Sequence, residues 1–470
     1  MLTTSSFLSY FAGYVVLVIG SLLIVTAVSH IIYEKRSSSG MVSWLLFVIV
    51  MPYIAAPLYF VIGVRKRKKT DAKSMVRFRA ADAHRPFLID SSAHPVAAML
   101  EHNGIPPATC ANRFELITDD TQAFRTLMRH IHTARESIDM ATFVFTYDET
   151  GKAIVDALAR KAQEGVRVRL LLDTMGSLGA YMRQRRYFRA LREAGGEVRF
   201  FASPLQKLFQ SYINLRNHRK IYLFDNRVVL GGGMNLSDAY MGDAPKARWR
   251  DILYELEGPA AHYMRIVFES DWAYTTSEPM PTLSPAPTDT SGEAFVQIVP
   301  SGPDIPRDAL YEALLDAFYR ARTRIWIVTP YFVPDESMMR ALMIAAHKGV
   351  DVHIVTPAVS DNRMADLVRA SYMRELSGHG VRLSLVKGEM VHAKAILIDD
   401  TGGMIGSLNL DNRSLFLNYE IVAFVYSSDF IVRTETWMKT LMRRADHTLP
   451  PVSKRREALE NLAKILAPMV

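Results

Sequence analysis

The hydrophobic pattern changes character twice along the chain. Residues 1–33 contain no Asp, Glu, Lys or Arg, and residues 7–33 form a run of 27 mostly apolar and small side chains. A polar turn at 34–40 leads to residues 41–64, another 24 positions without a formal charge. A helix needs only ~20 residues to cross hydrocarbon, so the pattern predicts an N-terminal pair of transmembrane helices. A cleaved signal would open on a basic region and carry a shorter apolar stretch. Pro52 and Pro57 remove two backbone donors from the second segment, which predicts a kink there, with a re-entrant hairpin as the alternative.

From Phe114 the pattern alternates between helical and strand periods. Residues 121–135 place Phe124, Leu127, Met128 and Ile131 at helical spacing, and 137–145 read as a strand. Further helices are expected at 151–164 and 183–194, and further strands at 166–172 and 198–201, with glycines closing the helices. The order then repeats: helices at 307–322, 336–347 and 365–376, strands at 324–329, 350–356 and 381–386. Such alternation predicts an α/β fold built from two related halves. The implied division is 1–69 for the membrane helices and their basic flank, and 70–113 for a connector with a short helix at 95–103. The halves are 114–274 and 294–446, joined by a Pro/Ser/Thr linker at 275–293 that carries Pro279, Pro281, Pro285 and Pro287. Residues 433–444 read as a helix, and 447–470 hold a last amphipathic, basic one.

Composition narrows this picture only slightly. The 470 residues suffice for two or three domains, and 49% hydrophobic with 22% charged residues excludes a disordered chain. The mean hydropathy is slightly positive, in keeping with a membrane portion. The net charge of +8 suits nucleic acid and anionic lipid equally. Five consecutive cations at 65–69, against only Lys35 and Arg36 in the turn, place the N-terminus and everything after residue 69 in the cytoplasm. Cys110 is the single cysteine, so no intrachain disulfide forms, and its role is read as packing. No zinc-ligand cluster, P-loop or dinucleotide fingerprint is present.

The chemistry lies in a stretch that occurs twice. Residues 217–235 read NHRKIYLFDNRVVLGGGMN and residues 391–409 read VHAKAILIDDTGGMIGSLN. His218 matches His392, Lys220 matches Lys394, Asp225 matches Asp399, Gly232 matches Gly406 and Asn235 matches Asn409, all offset by 174 positions. Residues two apart on a strand share a face, so each His points with its Lys. Each Asp lies seven residues beyond its His. Parity turns it away, toward the turn or the neighbouring strand. Two imidazoles, two ammoniums and two amides at a pseudo-twofold axis would make a receptor for a phosphodiester. One imidazole would attack phosphorus while the other protonates the leaving oxygen. Gly233 stands where the second copy has Ser407, so the halves need not touch phosphate equally. Residues 204–217 mix apolar side chains with cations and read either as a loop touching a bilayer or as a packed loop.

These repeated stretches resemble the duplicated signature of the phospholipase D superfamily. The resemblance extends to bacterial cardiolipin synthases through PYIAAPLYFVIG near the N-terminus, NRFELITDD at 112–120, WRDILYELEGPA at 249–260, TPYFVPD at 329–335 and GSLNLDNRSLFLNYE at 406–420. It implies two phospholipase D-like α/β domains sharing one active site. His218, Lys220, Asp225, His392, Lys394 and Asp399 would be the catalytic set, with Asn235, Asn409, Asp251 and Glu420 binding phosphate or orienting the histidines. It further implies that Glu420 orients His392 and that Asp251 plays the aligned part in the first half. Family precedent favours His218 as nucleophile and His392 as acid/base, while the near-symmetry of the two motifs leaves both assignments open. The activity implied is phosphatidyl transfer between two phosphatidylglycerol molecules, without metal or cofactor, through a phosphatidyl-histidine intermediate. Expected partners are phosphatidylglycerol, other anionic phospholipids and the bacterial inner membrane. Nucleic acid is not expected, and one chain suffices for one site. A lipid hydrolase, a nuclease of the same superfamily and a lipid-binding scaffold with a decayed site are the rival readings.

Overall fold

The computed structural model describes residues 4–33, 38–60, 76, 78, 94–202, 215–244, 246–283 and 292–464. The basic run at 65–69, most of the loop at 204–217, and Pro285 and Pro287 of the linker lie outside the described residues.

The first hydrophobic segment is one helix, Thr4–Tyr33. Its stretch Tyr10–Tyr33 is the one described helix long and apolar enough to cross a membrane. The second segment departs from the expected partner helix. A helix Ser38–Val50 stops at Met51, and a separate helix Pro52–Leu58 begins on Pro52. Pro52 lacks the N–H that would continue the ladder, and its ring restricts the residue before it. Met51 accordingly sits at φ −135°, ψ 62°. Both short helices fold back on the long one, burying Ala27, Ile31, Trp44, Val48 and Tyr59 together, and His30 Nδ1 lies 2.8 Å from the Tyr59 hydroxyl.

The first half supplies strands β1 (Thr109–Ile117), β2 (Ser137–Thr142), β3 (Arg167–Asp173), β4 (Glu197–Phe201), β5 (Ile221–Phe224), β6 (Val228–Gly232) and β7 (Leu253–Glu257). The second supplies β8 (Ala294–Ser301), β9 (Arg324–Val328), β10 (Phe332–Val333), β11 (Asp351–Pro357), β12 (Arg382–Val386), β13 (Ala395–Ile398), β14 (Gly402–Gly406), β15 (Leu410–Asp411), β16 (Glu420–Val425) and β17 (Ala445–Asp446). Fifteen of these form one sheet, ordered β17-β12-β11-β9-β13-β14-β16-β8-β1-β7-β6-β5-β2-β3-β4. Read outward from the β1–β8 junction, the two sides repeat one another: β7 answers β16, β6 answers β14, β5 answers β13, β2 answers β9 and β3 answers β11. β1 and β8 pair antiparallel, Thr109 opposite Val296 and Asn112 opposite Ala294. Asn112 pins this seam. Its amide donates to Thr109 O at 2.8 Å and Ala294 O at 3.2 Å, and its oxygen accepts from Ala260 N at 2.9 Å.

Both faces of the sheet are covered, which explains why its inner strands read as continuous apolar runs. In β5, Tyr222 and Phe224 enter one core while Ile221 and Leu223 enter the other. The four strands around the junction, β1, β7, β8 and β16, and the long helix Pro259–Thr276 are additions to the elements expected from periodicity. β1 begins at Thr109, inside the stretch expected to be connector. Of that connector, the helix Pro95–His102 forms as anticipated, with Pro at its first position. The helix expected at 183–194 is instead three short turns, Leu178–Met182, Gln184–Tyr187 and Arg189–Glu193. The breaks fall at Arg183 and Phe188, whose ψ angles of 18° and 16° depart from helical geometry. The change of direction buries Phe188 against Phe145 and Phe200 and stacks Tyr187 on Tyr147 at 4.1 Å.

Candidate active site

Each repeated motif runs from the middle of the molecule outward. His218 precedes β5 and His392 precedes β13, at the ends that meet the opposite half. Asn217 bridges Tyr419 in parallel, and Arg250 bridges Val391 in parallel. His218 N donates to Tyr419 O at 2.9 Å and His392 N to Arg250 O at 2.7 Å. The chain just before each histidine is therefore paired with the chain just before a carboxylate of the other half, Glu420 or Asp251.

This crossing corrects the expected assignment of the carboxylates. His218 Nδ1 lies 2.9 Å from Glu420 Oε2, and His392 Nδ1 lies 2.7 Å from Asp251 Oδ2. Glu420 thus serves His218 and not His392, and Asp251 serves His392. Motif alignment pairs residues within a half, whereas the pseudo-twofold axis places each histidine beside the neighbouring half's acid. All four side chains are buried. Asp251 also accepts from Ile252 N at 2.8 Å.

The Gly233–Ser407 difference has a local cause. Ser407 Oγ donates to Glu420 and so supports the carboxylate instead of facing phosphate. A Cβ added at Gly233 would lie 2.1 Å from Asp251 Oδ1. The shorter Asp251 occupies the space that a serine side chain would need.

Lys220 and Lys394 are buried beside their histidines. Lys220 Nζ donates to His218 O at 2.7 Å. Lys394 Nζ lies 2.7 Å from His392 Nδ1 and also hydrogen-bonds the His392 carbonyl. Burial, with Lys394 nearby, pulls the Lys220 ammonium down to about 7. Burial pulls Lys394 down to about 8 against the attraction of Asp251 and Glu420. Burial and Lys394 push the His392 imidazole down to about 3 although Asp251 opposes them, and burial, with the two lysines, also lowers His218 against Glu420. Burial acts to raise both carboxylates. Lys394 and His392 nevertheless hold Asp251 below the usual range, as His218 and Lys220 do Glu420. The site therefore holds two neutral imidazoles. With Nδ1–H donated to a carboxylate, each presents an Nε2 lone pair.

An anion bound between the lysines favours their protonated forms. In the free protein both lysines lose their protons as pH rises through about 7 to 8. Affinity for tungstate, a phosphate analogue, is accordingly expected to fall by about tenfold or more between about pH 6.5 and about pH 9, with proton uptake on binding near pH 8. Calorimetry in buffers of different ionisation enthalpy measures both; a pH-independent affinity would contradict the charge assignment.

The remaining candidates divide. Asn235 Oδ1 accepts from Thr142 Oγ1 at 3.1 Å and Val144 N at 3.0 Å, so it braces the segment after β2. Asn409 Oδ1 is buried without a hydrogen-bond partner among the described residues. Asp225 and Asp399, grouped by the resemblance with the catalytic residues, stand at the far ends of β5 and β13. Asp225 accepts from Arg135, Glu136 and Ser137 N–H groups at 2.7–3.1 Å, and Asp399 from those of Arg322, Thr323 and Arg324 at 2.8–3.1 Å. Both adopt φ of 50° at their hairpin turns. Asp225→Ala is expected to lower stability by about 1–3 kcal/mol through orphaned amides while leaving turnover at low temperature nearly unchanged. Thermal unfolding alongside initial rates tests this; lost activity at an unchanged midpoint would refute it.

Several contributors escaped the motif. Arg219, between His218 and Lys220 on the opposite strand face, is fully buried. It pairs with Asp271 at 2.8 Å and Asp304 at 2.9 Å, and donates to Ser301 O at 3.2 Å and Glu420 O at 3.1 Å. It thereby ties the first half's nucleus to the strand carrying Glu420. Its counterpart in the second copy is Ala393, so duplication alone gave no signal for it. Asp173, at the end of β3, accepts from Asn217 N at 3.0 Å. Trp249, Tyr240 and Tyr331 surround His392, with ring centroids 5.3, 5.1 and 6.4 Å away, whereas Phe143 stands 4.8 Å from His218.

A duplicated α/β sheet with paired, carboxylate-oriented histidines and buried lysines at its internal axis defines a phosphodiester-processing enzyme of the phospholipase D type. The family model described as cardiolipin synthase, PLD-like domain, matches residues 127–272 and 314–442, and the one described as phospholipase D-nuclease N-terminal matches residues 22–63. Cardiolipin synthase A of Pseudomonas putida (strain W619) is 30% identical over 474 residues, covering 98% of each chain. The major cardiolipin synthase of Bacillus subtilis (strain 168) is 33% identical over 86% of this chain and 87% of its own. Phosphatidylserine synthase of Haemophilus influenzae Rd KW20 shares the fold, with a TM-score of 0.60 at 14% identity over 80% of this chain and all of that one. The chain belongs to the cardiolipin synthase family of phospholipase D-like proteins.

Proposed function

We propose that the protein transfers a phosphatidyl group from one phosphatidylglycerol to the free glycerol hydroxyl of a second, forming cardiolipin and releasing glycerol. The observation that carries this reading is the crossed pair of buried dyads, His218–Glu420 and His392–Asp251. In the forward half-reaction, Nε2 of His218 attacks phosphorus and the bond to the glycerol oxygen breaks. His392, protonated once the phosphodiester anion offsets the lysines beside it, donates its proton to that oxygen. His392 then removes the proton of the incoming hydroxyl, whose oxygen displaces His218 from phosphorus. Lys220 and Lys394 stabilise charge on the non-bridging oxygens throughout. Asp225 and Asp399 act only by holding the strands in place.

The aromatic wall around His392 supports transfer over hydrolysis, because it limits water at the imidazole that activates the acceptor. The helix Thr4–Tyr33 and the basic run at 65–69 support a place at the bacterial inner membrane, with both halves on its cytoplasmic side. Incubating the detergent-purified protein with phosphatidylglycerol tests the reaction. Cardiolipin and glycerol in equal amounts are expected by mass spectrometry; phosphatidic acid without cardiolipin would replace transfer by hydrolysis.

A further inference from the structure

We propose that the loops following β3 and β11 form a two-sided apron that seats the mouth of the site on an anionic bilayer surface. The inference rests on reading the substrate as a membrane phospholipid. Single exposed apolar residues are ordinary on a protein surface, but here they collect at two symmetry-related places. Of the twelve strongly exposed large apolar side chains after residue 94, five are Met175, Leu178, Met182, Val359 and Met364. Met182 is 73% exposed and Val359 72%.

Both loops abut the chemistry. Asp173 Oδ1 accepts from Met175 N at 2.9 Å and Gly176 N at 3.1 Å, while Asp173 Oδ2 holds the amide of Asn217, next to His218. Ser177 Oγ donates to Phe143 O at 2.9 Å, and the Phe143 ring packs on His218. One side chain therefore separates this rim from the imidazole. Across the axis, the Tyr331 hydroxyl donates to Asp361 at 2.5 Å, with Val359 and Met364 on either side in sequence and the Tyr331 ring facing His392.

Charge selects the occupant. Arg183, Arg185 and Arg186 are exposed beside Met182, and residues 174–192 contain no Asp or Glu. Phe188 and Tyr187 anchor the broken turns inward, which leaves Met182 and the arginines facing out. Apolar side chains bordered by arginines match the boundary between acyl chains and anionic headgroups. A phosphodiester held there could enter the site without its acyl chains crossing water.

The test uses the full chain in vesicles containing phosphatidylglycerol. Met182→Cys and Met364→Cys, each in a Cys110→Ser chain, would carry an environment-sensitive fluorophore. Val432→Cys, on the helix Ser428–Met442 that contributes no residue to the site, serves as control. Blue-shifted emission and quenching by spin-labelled lipid are expected at 182 and 364 but not at 432. Signals at 182 and 364 indistinguishable from 432 would overturn the apron. In a second arm, Leu178→Gln, Met182→Gln, Arg185→Gln and Arg186→Gln are combined. Transfer from vesicular phosphatidylglycerol should fall by about tenfold or more, and transfer from a water-soluble short-chain analogue should stay within about twofold. Equal loss on both substrates would also overturn the apron. A wild-type chain inactive on both would remove the functional reading instead, and the fluorophores would then decide the apron alone.

Discussion

Alanine at His218 or at His392 is expected to lower cardiolipin formation by about four orders of magnitude or more in a folded protein. The two substitutions should be equally severe although they act on different steps. In the proposed mechanism no phosphorus–nitrogen bond forms without His218. Without His392 the glycerol oxide must leave unprotonated and the acceptor hydroxyl must attack unactivated. Both effects exceed what either buried lysine could compensate, because the lysines touch charge and not the transferred protons. Product formation from labelled phosphatidylglycerol measures the loss, and an unchanged unfolding midpoint separates it from misfolding. Appreciable turnover in either variant would mean that the two halves do not share one site.

Glu420→Gln and Asp251→Asn should each reduce turnover by about a hundredfold to a thousandfold, since an amide can favour the wrong imidazole tautomer. The partner assignments make a sharper claim. Each Nδ1–H lies in a short bond to a carboxylate, so two strongly downfield imidazole protons are expected in the nuclear magnetic resonance spectrum. Glu420→Gln should remove the same resonance as His218→Ala, and Asp251→Asn the same one as His392→Ala. The opposite pairing would restore the assignment within each half and contradict the crossed geometry. The crossing also means that neither half holds a complete dyad, so the proposed mechanism needs the β1–β8 seam to hold both in register.

The alternation of helix and strand periods announced two related α/β halves, because a strand buried on both faces and a helix buried on one leave different spacings. The strands at the junction announced nothing comparable. β7 carries the buried Glu255 between Tyr254 and Leu256, and β16 opens on the buried Glu420, charges that a buried strand does not advertise. Each is satisfied by partners far away in sequence: Glu255 by Arg113 and Arg129, Glu420 by His218. The helix expected over 183–194 has continuous helical propensity. It breaks because tertiary burial of Phe188 outweighs the local preference. The second membrane segment was legible as apolar, and its break as a consequence of Pro52, but not as a fold back onto the first helix.

Parity along a strand, which the sequence carries by itself, was enough to put each histidine with its lysine and to turn Asp225 and Asp399 toward the neighbouring strands. The family resemblance nominated Glu420, and its alignment with the first half then nominated Asp251. Which histidine each carboxylate serves was decided only in three dimensions. A twofold arrangement brings the start of each motif against the other half's strand, and hydrogen-bond geometry at 2.7–2.9 Å is set by that approach. The same holds for Arg219, whose two aspartates and two carbonyls come from segments 52 to 201 residues away. Local spacing encodes which face a side chain takes; only the packing of distant segments encodes what it meets there.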